Sequence, residues 1–286
     1  MQDTDHFPVM AELLLYFITA LLYAALAVAA WSRAPVPQTA PSLPEQTSPS
    51  RLQRWLLPLA LAMHAVLLFR DMFGGPGFNL NLGTALSLIV WLTVLIYWVE
   101  SYWVRVGVLK NLLLPFAALC VLLPYFMPAQ HVLAYAGWPL FKVHLAISML
   151  AYGLLSIAAL HALLLSVLEK RLHTGNLPLL LRDLPPLMSL ERLTFRILFV
   201  GFLLLTLTLA SGIVFSEAWV GKPFEFTHKV IFSIVAWVIF ALLLLGRRVW
   251  GWRGRIAVRW LLAGFAFLLL AYLGSKFVLE VLLHRG

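Results

Sequence analysis

A single cysteine, Cys120, excludes an internal disulfide and any CxxC redox pair, so this chain alone carries no membrane thiol–disulfide chemistry. Acidic residues are also few, 12 in all, and no carboxylate or thiol cluster accompanies the histidines at zinc-like spacing. A zinc hydrolase is therefore not expected. Charge of either sign makes up only 12% of the chain, about half the usual share for a soluble protein. No Lys or Arg precedes Arg33. The leader MQDTDHFP is acidic, and the apolar run after it has membrane length, unlike the short core of a cleaved signal peptide. No internal repeat is visible, which argues against an inverted-repeat transporter.

What the chain does have is hydrophobicity: 62% apolar residues over 286 positions and a mean hydropathy of +0.92. The apolar runs fall at 10–32, 54–71, 80–99, 111–127, 139–168, 192–215, 228–246 and 258–283. A bilayer core takes about 20 apolar residues per helix, and only helices or closed barrels satisfy the backbone there. The expected fold is all-α, with eight transmembrane helices in one integral domain over residues 1–286.

The net charge of +9 suggests nucleic acid until its distribution is considered. Fifteen of the 21 basic residues lie in the gaps after spans 1, 3, 5 and 7 or in the span ends that border them, among them Arg182, Arg247, Arg248 and Arg255. Six lie on the other face: Arg70, Lys142, Lys222, Lys229, Lys276 and Arg285. The positive-inside rule places the richer set in the cytoplasm and both termini outside. Basic charge here orients the chain in a lipid bilayer, and no nucleic-acid partner is expected.

Two cytoplasmic segments interrupt the spans. Residues 34–53, rich in proline, read as a flexible linker. In 169–191, Gly175, Asn176 and Pro178 break the fifth helix, and Ser189 is placed to cap the sixth with Glu191 in its first turn. Thr206, Thr208, Ser211 and Gly212 in span 6 suit close helix packing or a hydrogen bond across an interface.

The histidines carry the functional signal. His6 and His173 fall in soluble segments and His131 in an outer loop. His64 lies midway along span 2, where an imidazole is either functional or bonded to a neighbouring helix. His161 follows His144 by 17 residues, roughly 25 Å along a helix, and so belongs to the cytoplasmic half of span 5. His144, His228 and His284 stand at outer ends of spans 5, 7 and 8, which brings them to one membrane face. Imidazoles from separate helices, with aromatics and cations beside them, suit a haem: iron ligated, ring buried, propionates neutralised.

Three segments carry a family resemblance over about residues 55–286. HLAISMLAY supplies His144, Met149 and Tyr152 at a helix start. SGIVFSEAWVGKPFEFTHKVIFSIVAW runs from a Ser-Gly helix end at Ser211 through an aromatic loop to Trp237. AYLGSKFVLEVLLHRG holds Tyr272, Gly274 and His284. Together they resemble the cytochrome c assembly proteins, the CcsA/ResC and CcmC haem-handling group. The YpjD-type inner-membrane branch is the nearest, and PPLMSLERL and WGWRGR look typical of it. The resemblance implies haem as cofactor, His144 and His284 as its iron ligands, and a location in the bacterial inner membrane. It implies Lys222 and Lys229 as propionate partners, and Trp219, Phe224 and Phe226 as ring contacts. His228 is the rival ligand. The family's Trp-Asp-Pro-Lys-Glu run is missing between Glu217 and Lys229, so haem-attachment activity is not expected.

The sequence therefore reads as a haem-handling inner-membrane protein linked to cytochrome c assembly, working with other membrane proteins. The alternative is a haem-free accessory or small-solute transporter on the same fold, with His64 and the polar face of span 6 as its path.

Overall fold

In the computed structural model the apolar runs become eight helices long and apolar enough to cross a membrane. The structure describes residues 6–32, 51–74, 78–104, 106–127, 138–173, 186–219 and 227–278. Helices α1 (His6–Trp31), α2 (Arg51–Phe73) and α3 (Leu82–Glu100) are followed by α4 (Val108–Cys120) and the short α5 (Leu123–Phe126), which together form the fourth span. Then come α6 (Pro139–His173), α7 (Leu187–Trp219), α8 (His228–Trp250) and α9 (Gly254–Leu269). A π-helical turn (Leu270–Gly274) and a last short helix, α10 (Ser275–Phe277), complete the eighth span. Span positions match the hydropathy reading, with ends moved by a few residues. The described part of the proline-rich segment is helical, since α2 begins at Arg51; residues 34–50 lie outside the described residues.

Successive helices alternate in direction, so the bundle has two ends with different chemistry. One end carries α1's start, α2's end, and the starts of α3, α6 and α8. Contacts tie it together: Arg70 pairs with Glu12, Asn81 donates to the Met127 carbonyl, and Lys276 to the Leu80 carbonyl. This is the histidine end. At the opposite, arginine end, Arg247 and Arg253 both approach Glu191, at 3.2 and 3.8 Å. The Arg247 guanidinium also sits 3.6 Å over the Phe195 ring, a cation–π contact.

Helix α6 is the centre of the bundle, packed along α7, α3 and α9. Its buried stripe runs from Ser148 to Leu168 and includes Tyr152, Ile157 and His161. Small residues let the backbones approach. A Cβ at Gly153 would meet Leu92 at 2.9 Å, and one at Gly264 would meet the fully buried Phe240 ring at 2.6 Å. Membrane helices gain little from the hydrophobic effect against each other, so such van der Waals fit carries much of the association.

Local chemistry sets several helix ends. Asn81 caps α3, its side-chain oxygen accepting from the Thr84 N–H at 2.7 Å. Gly251, with φ +67, ends α8 in the left-handed region and turns the chain toward α9. Trp252 then folds back over Gly246, where a Cβ would lie 2.4 Å from its ring. Ser189 does not cap α7. The helix already starts at Leu187, and the Ser189 N–H bonds to the Pro186 carbonyl at 2.7 Å, inside the first turn.

Candidate functional site

The site grows from the start of α6, where the first turns place His144 against the end of α7. His144 Nδ1 lies 2.8 Å from Ser211 Oγ, and that hydroxyl lies 3.1 Å from the Thr208 carbonyl one turn back. The His144 carbonyl accepts from Ser148 Oγ at 2.7 Å, which fixes the backbone beneath the ring. A Cβ on Gly212 would stand 3.5 Å from His144 Cε1, so the imidazole edge runs along a glycine on α7. His144 is half-buried, and its Nε2 makes no hydrogen bond to any described residue.

Two cations and two phenols complete the surroundings. Lys229, in the first turn of α8, is close enough to His144 to act on it electrostatically, and Lys276 acts likewise on Lys229. The Lys229 ammonium stands 5.2 Å from the centroid of the Tyr272 ring. Tyr272 belongs to the π-helical turn, a register change that is common at functional sites. Its ring lies 5.9 Å from that of Tyr152, two turns along α6 from His144. The Tyr152 hydroxyl donates to the Leu268 carbonyl at 2.9 Å, just before the π turn. That bond supplies a donor to a carbonyl beside the point where the α-helical ladder changes register.

Of the sequence-predicted site residues, the structure brings together His144 and Lys229. His228 opens α8 beside Lys229 and is exposed. Trp219 is the last residue of α7. Lys222, Phe224, Phe226, His284 and the outer-loop His131 lie outside the described residues. The sequence places Ser211 and Gly212 at a close helix contact or an interhelical hydrogen bond, and Ser211 makes such a bond, to His144; it gives Tyr272 and Lys276 no part at the site. The signal for Ser211 was its place opposite His144 at the same membrane face.

The other two intramembrane histidines are elsewhere and fully buried. His64 is bonded from both ring nitrogens, Nδ1 to Tyr23 Oη at 3.3 Å and Nε2 to Ser87 Oγ at 2.8 Å, joining α1, α2 and α3. His161 lies 3.1 Å from Glu100 at the α3–α6 contact toward the arginine end. The polar groups of α7 are largely internal: Thr206 donates to Phe202 and Thr208 to Leu204, and Trp237 Nε1 donates to Thr206 Oγ1 at 2.8 Å. Among the described residues no group of three or more His, Cys, Asp or Glu could hold a metal ion. A protein-only metal centre is thus not built from them; His144 is an imidazole there that stands beside a lysine and near aromatic rings.

Comparison with known proteins identifies the family. The family model described as "Cytochrome C assembly protein" matches residues 19–283, beginning well before residue 55. "Inner membrane protein YpjD" of Escherichia coli (strain K12) is 34% identical over 226 residues, 78% of this chain and 85% of its own. An Azospirillum brasilense protein, "Uncharacterized 28.8 kDa protein in nifR3-like 5'region", is 32% identical over 208 residues, 70% of this chain and 77% of its own. "Cytochrome c biogenesis protein CcsA" of Synechocystis sp. (strain ATCC 27184 / PCC 6803 / Kazusa) is 33% identical over 110 residues, 38% of this chain and 33% of its own. No solved structure matches. With eight apolar helices and a family match over most of its length, this multi-pass membrane protein belongs to the cytochrome c assembly family.

Proposed function

We propose that this chain holds haem at the histidine end of its bundle, on the outer face of the inner membrane, in the service of cytochrome c assembly. The observation that carries the proposal is the meeting of His144, Lys229, Lys276 and Tyr272 at one end of the bundle. A neutral imidazole ligates iron, ammonium groups pair with propionates, and an aromatic wall shields the ring. Bound haem supplies the iron and its redox chemistry; the protein supplies orientation and burial.

In this reading His144 and His284 would ligate the haem iron, with His228 as the rival to His284. Lys229, Lys276 and Lys222 take the propionates, and Trp219, Phe224 and Phe226 line the ring. Orientation follows from charge: 15 of the 21 basic residues mark the arginine end as cytoplasmic, so the histidine end faces out. The Escherichia coli relative's inner-membrane name supports the membrane assigned, and the CcsA name's cytochrome c biogenesis supports the assembly role. The loop between Glu217 and Lys229 lacks the Trp-Asp-Pro-Lys-Glu run, so haem holding, and not thioether formation, is the role assigned. Partner proteins of the assembly machinery would receive the apocytochrome.

The test is the absorbance spectrum of the full chain purified from its membrane. A Soret band at near-stoichiometric haem is expected. Purified protein with no Soret band and no uptake of added haem would leave the haem-free accessory or transporter reading in its place.

A further inference from the structure

Neutral imidazole in water carries its proton mainly on Nε2. A histidine that is to offer Nε2 to a ligand must therefore have its proton held on Nδ1 by an acceptor. The partner at His144 Nδ1 is Ser211 Oγ, 2.8 Å away. A serine hydroxyl has one proton and two lone pairs. The Thr208 carbonyl, 3.1 Å from the same oxygen, can only accept, and it takes that one proton. With its proton on the Thr208 carbonyl, Ser211 Oγ faces the imidazole with a lone pair, and Nδ1 is then the donor. The hydroxyl of Ser148 cannot compete, because it donates to the His144 carbonyl at 2.7 Å.

We infer that Ser211 is a positioning residue: it holds His144 in the Nδ1–H tautomer and leaves the Nε2 lone pair as the ligand atom of the site. The tautomer rests on giving the one Ser211 proton to the Thr208 carbonyl. Only the identity of what Nε2 receives, haem iron, rests on the function proposed above. Gly212 assists, since a Cβ there would already touch Cε1 at 3.5 Å, and a longer side chain would push the ring off Ser211.

The experiment uses the full chain in nanodiscs with 15N-labelled histidine. Ring-nitrogen shifts are read in the haem-free protein, with the His144 signals identified by their loss in His144→Ala. A protonated Nδ1 and a bare Nε2 are expected in the wild type, retained in Ser211→Thr, and reversed toward Nε2–H in Ser211→Ala. A wild-type His144 protonated on Nε2 would overturn the inference, and so would an unchanged tautomer in Ser211→Ala. The wild-type spectrum decides even if the alanine variant fails to fold. Haem titration is the second arm: Ser211→Ala should bind about 10- to 100-fold more weakly and Ser211→Thr close to wild type. Equal affinity in Ser211→Ala and wild type would overturn the ligand role of Nε2. Absence of haem binding in every protein would sink the haem reading, while the tautomer is still decided by the first arm.

Discussion

Glu100, the last residue of α3, and His161, on α6, face each other in the interior of the bundle, with Oε1 and Nε2 3.1 Å apart. Neither side chain reaches solvent to any extent, at 6% and 0% exposure. Neither oxygen of the Glu100 carboxyl and neither ring nitrogen of His161 has a well-aligned hydrogen bond among the described residues, so their mutual approach is the main compensation either side chain has. Removing one member of such a pair leaves an uncompensated polar group in an apolar interior, at a cost of about 3–5 kcal/mol. Glu100→Leu and His161→Leu should each lower the unfolding midpoint in detergent strongly, and the double variant should recover much of the loss. Additive losses in the double variant would mean that the two groups are not coupled.

Close helix packing gives a second expectation. A methyl group on Gly264 would lie 2.6 Å from Phe240 Cε1, and that ring is fully buried and cannot swing away. Gly264→Ala should destabilise by about 1–3 kcal/mol through overpacking. Gly107, at the start of α4, has nothing within 4 Å of the same position, and Gly107→Ala is the matched control. Equal midpoints for the two variants would contradict the packing of α8 on α9.

Orientation is tested without purification. If the arginine end is cytoplasmic, a reporter active only outside the membrane should be silent when fused after Arg182. The same reporter should be active when fused after Met127 at the histidine end. The reverse pattern would invert the whole assignment.

The eight spans were legible because membrane crossing needs only length and hydropathy, and the chain has both. The joint placement of His144 and Lys229 was legible too, since counting crossings is enough to bring helix ends to one face. Side-chain pairings across the bundle were not. Nothing local to Glu100 points to His161, nor anything near His64 to Tyr23 and Ser87, because only the packed bundle brings these helices together. The segments PPLMSLERL and WGWRGR had no evident chemistry in the sequence. In the fold they meet, as Glu191 of the first receives Arg247, just before the second, and Arg253 within it. Their glycines serve the turn, with Gly251 and Gly254 both at positive φ. Ser is a good capping residue, which favours Ser189 in the sequence, but the helix starts at Leu187, directly after Pro186 and two residues before Ser189.

Haem attachment is a separable activity. The chain has no paired thiols to keep a substrate reduced, and it lacks the Trp-Asp-Pro-Lys-Glu run of the proteins it resembles. Expressed as the sole assembly protein, it should give no covalent haem on a CxxCH peptide, read by haem staining after denaturing electrophoresis. A stained product would show that the degenerate loop is still competent.

The most direct measurement is the visible spectrum and haem content of the full chain beside His144→Ala, His284→Ala, His228→Ala and His64→Ala. Wild type should carry a low-spin Soret spectrum. His144→Ala and His284→Ala should each lose haem or change its spectrum, while His64→Ala should keep the wild-type spectrum on a less stable protein. Full, unchanged haem in both His144→Ala and His284→Ala would contradict the ligand assignment, and loss from His228→Ala alone would transfer it to that residue.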